Sequence, residues 1–209
     1  MGVLGGTFAP IHHGHLRLAI EARERLKLDE VRLIPTNQPP HRAQPAVPAA
    51  RRLEWVRLAI GNEPGLVADD RELRRSGPSY TADTLASLGA EFPQSQLVLL
   101  LGADAATQLH TWHRWRDLPQ LAQLVFFERP GTTLTLSAEV EAHLQKHRAL
   151  PPQTLRALDI SSTEIRQLLL AQRSLRGLVP EAVLSALTPE DLEQLNRNEA
   201  PDEKTAATH

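Results

Sequence analysis

Val3-Leu4-Gly5-Gly6-Thr7-Phe8-Ala9-Pro10-Ile11-His12-His13-Gly14-His15-Leu16 joins a short apolar run, two glycines and two histidines three apart. The pattern predicts a short strand, a turn and a helix that starts near Gly14, the first half of a βα unit. Gly5 and Gly6 carry no Cβ, so a loop backbone built on them can approach phosphate oxygens closely. The helix start aims N–H groups that lack intrahelical partners at an anion, and His12 and His15 add ring donors beside it. The parts needed to hold a nucleoside triphosphate are thus local to one segment. The same residues also fit a plain strand–turn–helix connection with surface histidines, or an adventitious metal cluster. No nearby carboxylate or cysteine completes a metal-ligand set, so no metal ligands are assigned.

Outward from this segment, short apolar runs alternate with helical patterns. That alternation predicts an α/β fold, a Rossmann-like doubly wound parallel sheet with helices on both faces and a small C-terminal helical segment. The strand candidates are Val3–Leu4, Val31–Ile34, Leu66–Ala68, Leu97–Leu101, Leu124–Phe127 and Leu155–Leu158. Leu97–Leu101 is uninterrupted, as suits a central strand covered on both faces. Leu16–Leu26, Arg51–Ile60, Thr81–Ala90 and Ala138–His147 read as helices, and another begins near Ser161, spaced from Glu164 as in a capping box. Gly177 and Pro180 precede two short helices, Glu181–Leu187 and Glu190–Leu195, and the polar stretch from Arg197 to His209 reads as a frayed tail. The formal charge of −2 over 209 residues argues against a broad nucleic-acid-binding surface, so phosphate recognition should be local. The absence of cysteine excludes disulfides, thiolate metal sites and cysteine nucleophiles. No apolar stretch reaches the roughly 18 residues of a membrane span, and no signal peptide is visible, so a cytoplasmic protein is expected.

Doubly wound sheets bind ligands beyond the carboxyl ends of their strands, and the remaining chemistry-bearing segments fall there. Arg166 lies in the first turn of the Ser161-capped helix, where the helix dipole disfavours a cation unless an anion shares that end. Pairing with Glu164 at the surface is the bland alternative. Asn37-Gln38-Pro39-Pro40-His41-Arg42 offers two more phosphate donors on a loop stiffened by proline, or incidental surface charge. Asp104, in Gly102-Ala103-Asp104, can accept from ribose hydroxyls or cap a helix. Trp112, in Thr111-Trp112-His113-Arg114-Trp115, can stack on a heteroaromatic ring, whereas Trp55 reads as core. Pro78-Ser79-Tyr80-Thr81 opens a helix, with Ser79 or Thr81 as its cap, on whose amides a carboxylate can dock.

Taken in order, these segments resemble the nicotinate-nucleotide adenylyltransferase family, of the nucleotidyltransferase superfamily with the HxGH signature. The resemblance runs from Gly2 to about Leu184 and is carried by residues 5–15, 39–42, 77–84, 102–104, 111–113, 129–131 and 160–166. The HxGH pattern marks only the superfamily; Ser79-Tyr80-Thr81 and Thr111-Trp112 point to the nicotinate branch. The resemblance implies transfer of AMP from ATP to nicotinate mononucleotide, giving deamido-NAD and pyrophosphate, with Mg²⁺ accompanying ATP. It implies that His12, His15 and Arg166 are catalytic. Gly5, Gly6, Thr7, Phe8, His41, Arg42, Gly102, Asp104, Ser162 and Thr163 would join them in binding ATP. Tyr80, Thr81, Trp112 and His113 would receive the nicotinate ring and its carboxylate. It implies one nucleotidyltransferase domain over residues 1–196, with 181–196 a helical appendage and 197–209 a disordered tail. The partners are small molecules, with no nucleic acid and no membrane, and the sequence assigns no oligomeric state. Ala9 departs from the aspartate usual in the family, and the family's usual aromatic ending is absent. Alternatives are an adenylyltransferase for nicotinamide mononucleotide or phosphopantetheine, or a nucleotide-binding module without catalysis. His12 counts against the phosphopantetheine enzymes, which usually carry threonine there.

Overall fold

The computed structural model describes residues 1–40, 44–127, 134–146 and 158–197. Five short strands, β1 Gly2–Gly6, β2 Val31–Pro35, β3 Leu66–Ala68, β4 Val98–Gly102 and β5 Gln123–Phe127, form a parallel sheet in the order β3-β2-β1-β4-β5. Each parallel step needs a crossover, and the helices supply it. These are α1 His13–Arg25, α2 Ala49–Ile60, α3 Arg71–Arg74, α4 Thr81–Glu91, α5 Ala103–Thr107, α6 Leu118–Leu121, α7 Ala138–Lys146, α8 Ser162–Leu170, α9 Glu181–Ala186 and α10 Pro189–Arg197.

Side chains along a strand alternate between faces, and β4 shows it. Val98 and Leu100 pack in a cluster with Leu18 and Ala22 of α1, Trp55 and Val56 of α2, Ile165 of α8, Val183 of α9 and Leu195 of α10. Leu99 and Leu101 pack on the other face with Leu85 and Leu88 of α4, Ala106 of α5, Leu118 of α6 and Val140 of α7. Burying each such leucine contributes about 2 kcal/mol, which is why the apolar run becomes the middle of a two-sided core. Trp55 is fully buried, as its spacing suggests.

The chain steps outward from β1 to β2 and β3, then returns to place β4 on the other side of β1. The switch point therefore lies between β1 and β4. The described register there covers Gly2 with Val98 and Val3 with Leu99, whereas β1 and β2 stay paired to Gly6 with Pro35. Past Val3, a crevice separates β1 from β4, and the cavity described below is lined from both strands.

Some boundaries differ from expectation. β1 runs to Gly6 rather than ending at Leu4, because the ladder to β2 continues through both glycines and Thr36 N–H donates to the Gly6 carbonyl at 2.9 Å. The loop that leaves the sheet therefore starts at Thr7. The short helices α3, α5 and α6 carry too few residues for a helical period to be read. The candidate strand Leu155–Leu158 lies outside the described residues apart from Leu158, as do His147 and residues 198–209. Among the described residues no helix is long and apolar enough to cross a membrane.

Candidate active site

A cavity of about 610 Å³ opens at the switch point. Its floor is the carboxyl ends of β1 and β4, including Gly5, Gly6, Leu101 and Gly102. A Cβ on Gly5 would meet nothing within 4 Å, so this stretch of strand faces open space.

The loop after β1 is shaped before any ligand arrives. Phe8 is buried at φ +51°, a left-handed conformation that a bulky residue adopts only when its surroundings hold it there. Its ring meets the His15 ring edge-on at 5.0 Å, and the His15 ring stacks on His12 at 3.7 Å. His12 takes the N-cap position of α1, and its backbone N–H donates to His15 Nδ1 at 3.3 Å. A nitrogen that accepts carries no proton, so the proton of a neutral His15 ring sits on Nε2, which becomes the donor. Gly14 is the spacer for a steric reason. A Cβ there would lie 2.9 Å from His12 Nδ1 and 3.2 Å from the Ile160 carbonyl oxygen.

The start of α8 closes the same loop from the other end of the chain. Ser161 Oγ accepts from Glu164 N–H at 3.0 Å, capping the helix as its spacing suggests. That leaves the Ser162 and Thr163 N–H groups at the open helix start. Ser162 Oγ donates to the Pro10 carbonyl at 3.1 Å. Arg166 Nη1 donates to the Ala9 carbonyl at 3.0 Å, and Nη2 to Thr163 Oγ1 at 3.1 Å. It is thus the backbone of residue 9 that anchors Arg166, and an alanine side chain suffices for that contact.

A second group lies where β4 and α4 contribute. Tyr80 occupies the N-cap position of α4, and no side chain caps the helix. This corrects the expectation of Ser79 or Thr81. Ser79 Oγ instead accepts from the N–H groups of Asn37 and Gln38 at 3.0 and 3.2 Å, fastening the loop after β2. The first N–H groups of α4, on Thr81 and Ala82, have no backbone partner. The Tyr80 and His113 rings lie 4.2 Å apart, tilted by 33°, with Trp112 half-buried nearby. Gly102 takes the N-cap position of α5 and Asp104 is exposed inside the helix, so the aspartate does not cap it.

All the described residues singled out from sequence, namely Gly5, Gly6, Thr7, Phe8, His12, His15, Tyr80, Thr81, Gly102, Asp104, Trp112, His113, Ser162, Thr163 and Arg166, line this one cavity. His41 and Arg42 lie outside the described residues, although Pro39 and Pro40 before them reach the cavity. Among the described residues no group of three or more His, Cys, Asp or Glu stands together as a metal site.

Two residues went unread in the sequence. Arg52 of α2 is fully buried and donates to three backbone carbonyls: Val47 at 3.0 Å, Thr7 at 2.6 Å and Thr36 at 2.7 Å. It ties the loops after β1 and β2 together beneath the site. Burial pushes its guanidinium down to about 10, and Glu72 is the carboxylate that opposes the drop. Its signal was available, since Arg52 stands in the first turn of a helix, where a cation is disfavoured, as was noted for Arg166. The other is Glu72 of α3, a buried cavity-lining carboxylate. The sequence gave no sign of it, since it sits among charged residues on a four-residue helix.

The cytidylyltransferase-like family model matches residues 3–168. A probable nicotinate-nucleotide adenylyltransferase of Pseudomonas syringae pv. tomato is 46% identical over 199 residues, covering 88% of this chain and 89% of the relative. One of the same description from Halorhodospira halophila is 46% identical over 196 residues, covering 88% and 90%. The solved structure of Plasmodium falciparum nicotinic acid mononucleotide adenylyltransferase complexed with NaAD superposes with a TM-score of 0.72 at 17% identity, covering 88% of this chain and 92% of that one.

Proposed function

Because this chain belongs to the nicotinate-nucleotide adenylyltransferases of the cytidylyltransferase-like family, we propose that it transfers AMP from ATP to nicotinate mononucleotide. The products are deamido-NAD and pyrophosphate, and the reaction is a step of NAD biosynthesis. The observation that carries this reading is the coexistence in one cavity of a phosphate-binding group and a ring-binding group. His12, His15, Arg166 and the start of α8 form the first, and Tyr80, Thr81, Trp112 and His113 the second.

The nucleophile is the acceptor's own phosphate, whose second pKa of about 6 leaves it mostly ionised at neutral pH. No covalent intermediate or strong base is required, which suits a chain without cysteine. Catalysis consists of aligning that phosphate with the α-phosphorus and stabilising charge as pyrophosphate leaves. His15 Nε2–H, the Arg166 fork and the Ser162 and Thr163 N–H groups are the donors for that charge. His12 stacks on His15 and holds its ring in register. Gly5, Gly6, Thr7 and Phe8 let the triphosphate lie against the strand end, and Gly102 and Asp104 meet the adenosine side. His41 and Arg42 are proposed as further phosphate donors. Mg²⁺ enters as part of the MgATP substrate, where it neutralises phosphate charge. The carboxylate of the nicotinate docks on the Thr81 and Ala82 N–H groups, with the ring stacked on the aromatic residues. A net charge of −2 fits small-molecule partners rather than a polynucleotide.

Pyrophosphate release from MgATP tests the reading, with nicotinate mononucleotide, nicotinamide mononucleotide and phosphopantetheine as parallel acceptors. The expected result is a strong preference for nicotinate mononucleotide. Preference for another acceptor would keep the phosphoryl chemistry and overturn the ring-pocket assignment. Binding of ATP with no release from any acceptor would make the chain a silent module.

A further inference from the structure

Glu72 is a buried charge that the chemistry above does not use. It is 6% exposed, yet it lines the cavity. Thr84 Oγ1 donates to its Oε1 at 2.8 Å, while Oε2 is buried with no hydrogen-bond partner. An unsatisfied buried carboxylate oxygen is costly, so its retention at a cavity wall calls for a ligand group of opposite polarity. The placement says which group. Thr84 stands three residues after Thr81 and four after Tyr80 on α4, so these residues share one helix face. Glu72, bonded to Thr84, therefore lies about one turn along α4 from the helix start. A ligand end-on to α4 meets positive dipole at the Thr81 and Ala82 N–H groups and negative charge one turn deeper.

That polarity matches a zwitterion. A nicotinate nucleotide carries a carboxylate on one side of its ring and a permanent positive charge at the glycosylated ring nitrogen. We propose that Glu72 is the counter-ion for this pyridinium charge, and so a specificity residue that selects a cationic ring over an uncharged ring of the same shape. The inference rests on the acceptor being a nicotinate nucleotide. Tyr80 and Trp112 act with it, since aromatic faces also favour a cation. The Arg52 charge beneath is already turned onto three backbone carbonyls, which leaves Glu72 Oε2 to the ligand.

The test compares nicotinate mononucleotide with its carbon isostere, 3-carboxyphenyl C-riboside 5′-phosphate, in which carbon replaces the ring nitrogen. Both are used as AMP acceptors, and kcat/KM is read as a ratio on a single preparation, so the folded fraction cancels. The wild-type enzyme is expected to favour the pyridinium compound by about tenfold or more. Glu72→Gln removes most of that preference, and Glu72→Asp, which keeps the charge, retains most of it. A ratio unchanged in Glu72→Gln, or a wild-type enzyme indifferent to ring charge, overturns the role of Glu72 while leaving the adenylyltransferase reading intact. A wild-type enzyme that releases no pyrophosphate with nicotinate mononucleotide overturns both.

Discussion

Arg51 and Arg52 are neighbours on α2 and face opposite regions of the molecule. Arg51 points outward to the C-terminal helices, where it grips Asp191 at 2.7 Å, Glu54 at 2.6 Å and the Ala186 carbonyl. Its hydrogen bonds to Asp191, then to Glu54, hold its guanidinium above the ordinary arginine range. Arg52 points inward to the site loops and bonds only neutral carbonyls, and burial holds it below that range. The first charge is neutralised where it stands and acts as a fastener. The second is left largely uncompensated beneath a cavity proposed to receive phosphates, so it shapes the loop and adds to the local positive potential. Two identical side chains thus divide stability from site construction by the direction in which they leave one helix.

Substitutions that separate those two duties should give distinct signatures. The largest effect belongs to Arg52→Ala, which strips three buried carbonyls of their partner. It should cost about 3–5 kcal/mol in denaturant unfolding and lower turnover even among folded molecules. An unchanged unfolding midpoint would contradict the clamp. His15→Ala lies wholly on the site side. A loss of about 10²-fold or more in kcat is expected, with the melting temperature nearly unmoved, and a wild-type kcat would remove His15 from catalysis. Arg51→Met lies wholly on the fastening side, at a partly exposed pair. About 2 kcal/mol of stability should disappear while kcat/KM per folded molecule stays within about twofold. A large loss of activity would show that the C-terminal helices reach the site.

The smallest effect concerns acid. Burial pushes Asp191 up, but the bonds from Arg51 and Thr188 outweigh it and hold the carboxyl below its usual range. A depressed carboxyl stabilises the fold above its unfolded value of about 3.9, and that stability fades as the pH falls through the folded value. Asp191→Asn should therefore flatten the stability curve on the acid side of about pH 4, measured by thermal unfolding across pH. A curve as steep as wild type would place the acid sensitivity elsewhere, with Asp69 next in line. Asp69 is also raised by burial but held low on balance by Arg71 and Arg32.

What was legible in the sequence depended on whether the signal was local. The run Val98–Leu101 announced a two-sided strand because every residue in it had to be apolar. The histidine pair and the Ser161 cap were legible because their partners lie within a few residues. Gly5 and Gly6 were misread as loop because a glycine pair usually punctuates, and only the ladder to Ile34 and Pro35 shows that the strand continues. Ser79 was misread as a cap because its partners, Asn37 and Gln38, lie some forty residues away. Arg52 and Glu72 owe their meaning to burial, which follows from the packing of α2 and α3 against loops that no single window contains.

The tilted stack of Tyr80 on His113 has a practical consequence. Tyr80 is the single tyrosine of the chain, and its face is covered by an imidazole at 4.2 Å. A ring current from that neighbour displaces the tyrosine ring resonances, and a ligand ring that replaces the imidazole alters the displacement. The molecule thus carries its own spectroscopic reporter, one pair of aromatic signals in a spectrum free of other tyrosines, positioned where the acceptor must enter.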